Sequence, residues 1–164
     1  MAYRGIVIMM SVLMLGLVAC GTLPGVQQRP AAGYPFRHNA YDLKIAWKTD
    51  RLDRGIVIDG LLKNVRYQQI EDVEVTVSVV DKDNKTLASD RTFLLPFPLK
   101  TDEYAPFGLT LKDVALANGD VFRFLIKYRA NDDDFSSFTW LSNFKADAIT
   151  GATINEEVDN PDRW

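Results

Sequence analysis

The sequence has very few of the side chains on which most enzyme chemistry depends. Among 164 residues there is one histidine, His38, and one cysteine, Cys20. Nucleophilic catalysis by a Ser–His or Cys–His pair needs a histidine held in a packed site. His38 instead follows a segment rich in glycine and proline, where we expect it to be solvated. With no Gly-x-Ser-x-Gly motif and no glycine-rich phosphate loop, we predict no catalytic residue and no enzyme activity.

Metal ligands are equally scarce. One histidine and one cysteine cannot form a tetrahedral zinc site without several carboxylates. The turn at Asp81 begins like a calcium loop, but Lys85 and Thr86 occupy the positions of a ligand and of the required glycine, and Thr92 stands where a bidentate glutamate belongs. Three consecutive aspartates, residues 132–134, would hold calcium only if another loop converged on them. The sequence therefore predicts no metal site and no cofactor.

An excess of positive charge is also missing. The chain has 19 lysines and arginines against 22 aspartates and glutamates, a formal net charge of −3. The acidic side chains fall mainly in turns and at outward strand positions. A protein that binds nucleic acid needs a basic patch or stripe, so we predict no nucleic-acid partner.

No hydrophobic run is long enough to cross a membrane. The longest comprises the fourteen residues 6–19, IVIMMSVLMLGLVA, whereas a membrane-spanning helix needs about 20 apolar residues. The run follows Arg4 and ends in small residues, as the apolar region of a signal peptide does. We interpret residues 1–19 as a signal peptide.

The end of this run, Leu17-Val18-Ala19-Cys20, resembles the lipobox of bacterial lipoproteins. The resemblance implies that Cys20 receives a diacylglycerol and becomes the first residue of the mature chain. Several acyl chains such as palmitate give stable membrane attachment, whereas one gives reversible binding. Residue 21 is Gly rather than the Asp that retains enteric lipoproteins at the inner membrane, which favours an outer-membrane location facing the periplasm. The alternatives are an ordinary secretory signal near a chance cysteine and an uncleaved anchor.

The segment after Cys20 predicts a tether. Residues 21–37 contain three glycines and three prolines and show no apolar periodicity, so we assign residues 20–38 to a flexible linker. Because Cys20 would carry the lipid, no thiol remains for a disulfide. The folded domain must then be stable through its hydrophobic core alone.

Seven segments alternate between apolar and polar residues, the period of half-buried β-strands. They span residues 41–48, 55–64, 73–79, 86–94, 107–112, 122–129 and 138–144. Gly60, inside the second segment, indicates a bulge or close packing. The pattern predicts an all-β, seven-stranded immunoglobulin-like or fibronectin-type-III-like sandwich at residues 39–148, with a meander barrel as the alternative. Residues 149–164 read as an acidic tail.

A second resemblance supports the sandwich. The pattern Ile58-x-Gly60-x-x-x-Asn64, followed by alternating valines from Val73 to Val79 with Asp81 and Leu87, is similar to FxLYD-type and late-embryogenesis-abundant type 2 domains. These are small immunoglobulin-like or fibronectin-type-III-like sandwiches, common in bacterial lipoproteins. The resemblance implies a fold and no catalytic activity.

Together these features favour a lipid-anchored envelope lipoprotein that binds another envelope protein or supports an assembly. Pro96-Phe97-Pro98, next to Leu94 and Leu95, is a candidate contact, although it would equally suit a corner of the sandwich. The alternative function is a periplasmic lipoprotein that binds a small ligand or glycan through aromatic residues. The candidate aromatics, which would otherwise be core residues, are Trp47, Phe122, Phe124, Trp140 and Phe144.

Overall fold

The structure is a computed structural model that describes residues 31–94, 98–131 and 137–154. The predicted signal peptide, Cys20, residues 21–30 of the predicted tether, Leu95, Pro96, Phe97, the aspartates 132–134 and residues 155–164 lie outside these ranges.

The described chain is built almost entirely of strands. A short 3₁₀ turn, Ala31–Gly33, precedes nine strands: β1 Phe36–Asn39, β2 Leu43–Leu52, β3 Gly55–Asn64, β4 Ile70–Val80, β5 Thr86–Phe93, β6 Tyr104–Lys112, β7 Val121–Asn131, β8 Ser137–Asp147 and β9 Thr153–Ile154. Each of the seven predicted segments corresponds to one of the strands β2 to β8.

The strands form two antiparallel sheets, of order β1-β2-β3-β6 and β5-β4-β7-β8-β9. The chain passes between the sheets after β3, after β5 and after β6, so β3 pairs with β6 and β4 pairs with β7. A meander barrel would pair consecutive strands around one closed sheet. The predicted immunoglobulin-like sandwich is therefore confirmed, with β1 and β9 as two additional edge strands.

The folded domain begins earlier than the sequence predicts. All but the last residue of β1, Phe36–Asn39, belong to the segment assigned to the tether, and β1 pairs with β2 so that Phe36 lies opposite Trp47 and His38 opposite Ile45. The domain therefore starts before residue 39. At the other end β9 lies within the predicted tail. Both strands are too short for their alternation to stand out from the neighbouring loop sequence.

The core lies between the sheets and consists of the inward residues of each strand. Its centre is aromatic: the Phe124 and Phe144 rings stack at 4.5 Å between centroids, and Trp47 lies 4.9 Å from Phe124 and 5.6 Å from Phe144. Trp47, Phe122, Phe124 and Phe144 are all buried. Burial of large aromatic rings is a major source of stability in a domain that has no disulfide.

Gly60 leaves room for the ring of Phe107, which lies directly opposite it on the neighbouring strand β6 of the same sheet. A Cβ on this residue would come within 2.1 Å of the Phe107 ring, and no shift of register interrupts β3 on either side. Of the two roles predicted for Gly60, close packing is therefore the one found.

Candidate interaction site at one end of the sandwich

Three connections, β1–β2, β3–β4 and β5–β6, lie at one end of the sandwich together with the tip of the β7–β8 hairpin. They meet there because neighbouring strands run antiparallel, so that alternate strand ends lie at the same end of the domain. Large hydrophobic side chains are exposed at this end and along β8. They include Tyr41 (97% exposed), Tyr67 (74%), Leu141 (63%), Phe138 (52%) and Trp140 (42%). Exposed apolar side chains gathered in one place commonly mark a binding surface.

A buried carboxylate connects the two sheets here. Asp42, just before β2, accepts a hydrogen bond from the hydroxyl of Tyr128 in β7 and an ion-paired hydrogen bond from the Arg66 Nη1 at 2.9 Å. Its backbone carbonyl also accepts a bond from the Val65 amide at 3.0 Å. Burial and the neighbouring Asp42 carboxylate raise the pKa of Tyr128, so the phenol stays protonated and acts as the donor.

Arg66 links this network to the exposed aromatic residues. Its guanidinium lies over the Trp140 ring, 4.4 Å from the ring centroid, a distance at which cation–π attraction is effective. Because Arg66 is held by Asp42 on one side, it fixes Trp140 while leaving much of the indole exposed to solvent. Arg66 therefore supports Trp140 from below and leaves an apolar surface open to solvent.

Asn64, at the end of β3, holds the β3–β4 connection in place. It is fully buried, and its side-chain amide donates to the carbonyls of Gln68 at 2.8 Å and Leu99 at 3.0 Å. Its side-chain oxygen accepts a bond from the Arg66 amide at 2.9 Å. The position of Arg66 therefore depends on a neighbouring residue as well as on Asp42.

The free edge of β8 is the most distinctive feature of this surface. One side of β8 pairs with β7 along its whole length, whereas the other side pairs with β9 only at Lys145 and Ala146. The backbone of residues 137–144 has no other strand partner in the described chain. This stretch, SFTWLSNF, contains neither charge nor proline, two of the devices by which proteins protect sheet edges.

Phe138 and Trp140 have the inward orientation of the core residue Phe144 but are not covered by the opposite sheet. Phe144 is covered by His38, whose ring stacks on it at 3.8 Å between centroids. β1 ends one residue later, at Asn39. The inner face of β8 therefore changes from core to exposed surface along a single strand.

The outer face beside this edge is basic. Lys127 of β7 lies opposite Leu141, and Arg123 lies opposite Lys145. Arg129 forms ion pairs with Glu71 and Asp72, each at 3.0 Å, whereas Lys127 and Lys145 contact no carboxylate within the described ranges. The edge therefore combines apolar side chains with basic ones, and Glu74 of β4 lies directly opposite Lys127 on the far side of β7.

The position of His38 differs from the prediction. We expected a solvated histidine, but its exposed fraction is 6%, and burial lowers its pKa to about 4. The residue is a packing element of β1 that covers Phe144. The sequence could not show this, because the pairing that buries His38 involves β2 and β8 rather than its sequence neighbours.

The other predicted site residues are distributed as follows. Of the five candidate aromatics only Trp140 is exposed; the remaining four belong to the core, as their alternation indicates, so the alternative of an aromatic binding patch is wrong for those four residues. Leu94 is buried and Pro98 is exposed. Asp81 accepts the Asp83 and Lys85 amides at 2.9 Å and so organises its own turn. No cluster of three or more potential metal ligands occurs among the described residues.

Sequence reasoning did not identify Asp42, Arg66 and Tyr128. One signal was available: the alternation of β7 places Tyr128 on the inward face near the end of the strand, and a buried tyrosine hydroxyl needs an acceptor. The partner could not be found in this way, because Asp42 lies 86 residues away in the sequence.

The described ranges also include an open depression of about 390 Å³ at the opposite end of the sandwich. The β2–β3 turn and residues 113–116 line it, and none of the five exposed hydrophobic residues named above takes part. Within the same ranges, no helix is long and apolar enough to cross a membrane.

The strand order and the two-sheet core define the class of the protein, an all-β sandwich of the immunoglobulin-like type. No protein-family model matches the sequence, and no curated protein matches it. Two solved structures are similar over about two thirds of this chain. One is the GAE domain of GGA2p from Saccharomyces cerevisiae, with 16% identity over 67% of this chain and 96% of that chain, at a TM-score of 0.42. The other is the putative ApaA protein from Bordetella pertussis, with 9% identity over 65% of this chain and 94% of that one, at a TM-score of 0.42.

A third similar structure is a β-glucuronidase from Bacteroides uniformis. It has 17% identity over 65% of this chain but only 13% of that much longer chain, at a TM-score of 0.36. Likenesses at this level concern the fold alone.

Proposed function

We propose that the protein is a bacterial envelope lipoprotein, anchored through lipid on Cys20, that binds another envelope protein through the free edge of β8. It has no enzyme activity in this proposal and faces the periplasm from the outer membrane. The observation that carries the binding role is the unprotected edge at residues 137–144, with Phe138, Trp140 and Leu141 exposed beside it.

A free strand edge offers two kinds of contact to a partner. Its unpaired backbone groups can hydrogen-bond to an added strand, which supplies affinity, and the exposed side chains on both faces supply specificity. The surface is prepared for binding, because Asp42 and Asn64 hold Arg66, and Arg66 holds Trp140. A rigid surface loses little conformational entropy on association.

The anchor can be tested by metabolic labelling in the native host. Radiolabelled palmitate should enter the wild-type protein, and Cys20→Ala should abolish labelling and release the protein from the membrane fraction. Substitution of Gly21 by Asp should move the protein toward the inner membrane if the sorting rule of enteric bacteria applies. Absence of label in the wild type would refute the lipid anchor.

The binding role can be tested by site-specific photocrosslinking in intact cells. A photoreactive residue in place of Leu141 should yield a reproducible adduct with an envelope protein. The same residue in place of Leu52, which is about half exposed as the last residue of β2 at the opposite end of the sandwich, serves as the control. A photoreactive residue in place of Thr139 should yield the same adduct. That adduct should be lost when Trp140→Ala is introduced into the same protein. Equal adducts from positions 141 and 52 would count against the β8 edge as the binding site.

A second candidate function is binding of a small ligand or glycan. It is supported by Tyr41, Tyr67 and Trp140, which are exposed at the same end of the sandwich as Arg66. Trp47 is fully buried, so a ligand at this end should change the fluorescence of Trp140 but not that of Trp47. Titration with envelope glycans should give a response that Trp140→Phe abolishes, and a response that persists in this variant would exclude Trp140 as the contact.

A further inference from the structure

The outer face of the second sheet is rich in basic side chains where β7 and β8 run together. Six outward residues form three directly opposed pairs, which we call the outer ladder: Lys127 and Leu141, Leu125 and Asn143, and Arg123 and Lys145. The residues that alternate with them, such as Phe124 and Phe144, are buried, so the six side chains lie on the face away from the core. Three of the six are cations and none is acidic, whereas the whole chain has a formal net charge of −3.

The neighbouring strand β4 supplies little negative charge to the outer ladder. Glu74 lies directly opposite Lys127, but it also lies 3.8 Å from the Arg91 guanidinium on its other side. One carboxylate therefore serves two cations. The other two β4 residues that face the ladder are uncharged, and the acidic residues 71 and 72 form ion pairs with Arg129. Within the described chain, positive charge thus exceeds negative charge on this part of the face.

The outer ladder is continuous with the β8 edge to which the proposed function assigns partner binding. Leu141 and Asn143 belong to the edge itself, so a strand added along residues 137–144 would place its own outward side chains beside them. Side chains directly opposite and diagonal to each other across neighbouring strands interact. A carboxylate opposite Asn143 would be diagonal to Lys145, and an acidic strand would therefore meet the basic side of this surface.

We propose that the β8 edge accepts a protein strand with acidic outward side chains, and that the cations of the outer ladder bind these carboxylates. This deepens the proposed function by stating the chemistry of the partner, and it rests on that function. The inward side chains of the same strand meet Phe138 and Trp140 and are apolar. Complementary charge of this kind accelerates association and rejects basic strands more than it adds affinity.

A protein fits this face better than the membrane that would hold Cys20. The chain enters the domain on the outer face of the first sheet, where Ala31 and Tyr34 pack against Ala46 and Leu61. Residues 21–30 separate this entry point from Cys20, and ten residues span at most about 36 Å. The route around the sandwich to the outer ladder is roughly 30–40 Å, from the spacing of strands and sheets. Contact of the ladder with that bilayer would thus need a tether stretched close to its limit, which costs conformational entropy.

Photocrosslinking in intact cells tests the charge of the partner. With a photoreactive residue in place of Leu141, one variant reverses the three cations of the ladder: Arg123→Glu, Lys127→Glu and Lys145→Glu. The adduct yield should fall by about tenfold or more, because like charges across an interface oppose association. An unchanged yield would overturn the acidic partner and leave partner binding at the β8 edge intact.

The matched control reverses three exposed cations outside the second sheet, Arg51→Glu, Lys100→Glu and Lys112→Glu. It changes the net charge equally and should alter the yield by less than about twofold, since distant exposed charges are screened. A second variant exchanges the ladder cations for one another's type, Arg123→Lys, Lys127→Arg and Lys145→Arg, and should keep the adduct. Loss of the adduct in this charge-conserving variant would show that shape rather than charge matters, and would overturn the proposal.

A synthetic strand tests the same chemistry without the native partner. A peptide of alternating glutamate and valine is titrated into the full-length lipidated protein in detergent micelles, in parallel with a peptide of alternating lysine and valine. The acidic peptide should change the Trp140 fluorescence, a signal that Trp140→Phe removes, and the basic peptide should not. The response should weaken several-fold between about 0.05 and 0.5 M salt. No response to the acidic peptide, or an equal response to both, would overturn the proposal.

A photoreactive residue in place of Leu125, at the centre of the ladder, identifies the class of the occupant. We expect an adduct with an envelope protein, whereas an adduct with phospholipid or with a second copy of this chain would overturn the proposal. The two proposals also fail separately. If the acidic peptide binds but positions 141 and 125 give no envelope adduct in cells, the proposed partner binding is rejected and the charge preference of the β8 edge remains.

Discussion

The hydroxyl of Tyr128 donates a hydrogen bond to the carboxylate of Asp42 and thereby joins the two sheets of the sandwich. The same carboxylate oxygen binds Arg66, which carries Trp140. One buried acceptor therefore holds together a strand of the second sheet, the start of β2 and the exposed surface at the end of the sandwich.

Replacement of Tyr128 by Phe should lower the free energy of unfolding by about 1–3 kcal/mol, because Asp42 loses a donor in a buried position. Urea denaturation of the purified chain measures this change. Tyr41→Phe is the matched control, since Tyr41 is almost fully exposed, and should have no effect. Equal stability of Tyr128→Phe and wild type would show that Arg66 alone satisfies Asp42.

The stability should depend on pH through His38. Burial lowers its pKa from 6.5 to about 4, so the folded state favours the neutral ring more than the unfolded state does. Stability from this source is complete above pH 6.5 and is lost as the pH falls from 6.5 toward 4. At about 1.4 kcal/mol for each pH unit the loss reaches at most about 3.5 kcal/mol.

Denaturation of wild type and His38→Phe between pH 7 and 4 measures this contribution. Phe keeps a ring stacked on Phe144 and has no proton to gain, so the difference between the two proteins isolates the histidine from titrating carboxylates. Parallel stability curves over this range would contradict the buried, neutral state of His38.

Gly60→Ala should destabilise the domain by about 1–3 kcal/mol, because the added methyl group overlaps the Phe107 ring and forces the core to shift. The matched control is Gly108→Ala in β6, where a Cβ would meet no atom within 4 Å. Thermal unfolding should separate the two variants by several degrees. A Gly60→Ala protein as stable as Gly108→Ala would mean that Phe107 can move at little cost.

Asn64→Ala should destabilise the domain by about 2–4 kcal/mol, because it removes three hydrogen bonds and leaves the buried Leu99 carbonyl with one donor fewer. It should also loosen Arg66, whose amide bonds to Asn64, and so weaken crosslinking from position 141. Asn143→Ala, on the exposed part of β8, is the control for stability. If Asn64→Ala kept both its stability and its crosslinking, Asn64 would not be needed to support the exposed surface.

Much of the fold could be predicted because alternation reports burial directly. In β4 the residues Val73, Val75, Val77 and Val79 are all buried, as their spacing indicates, and β3 begins and ends at the predicted residues. The same rule failed in β8. Phe138 and Trp140 have the alternation of core residues, but whether an inward position is covered depends on how far the opposite sheet extends.

The sequence by itself determined the class of fold and a candidate lipidation site at Cys20, because both are written in local patterns: alternation for the strands, and a short motif after an apolar run for the cysteine. Only the tertiary structure decided that His38 is buried, that Asp42 meets Tyr128 and that residues 137–144 of β8 pair on one side alone within the described chain. These features arise from contacts between residues far apart in the chain, and no local pattern determines which residues meet across two sheets.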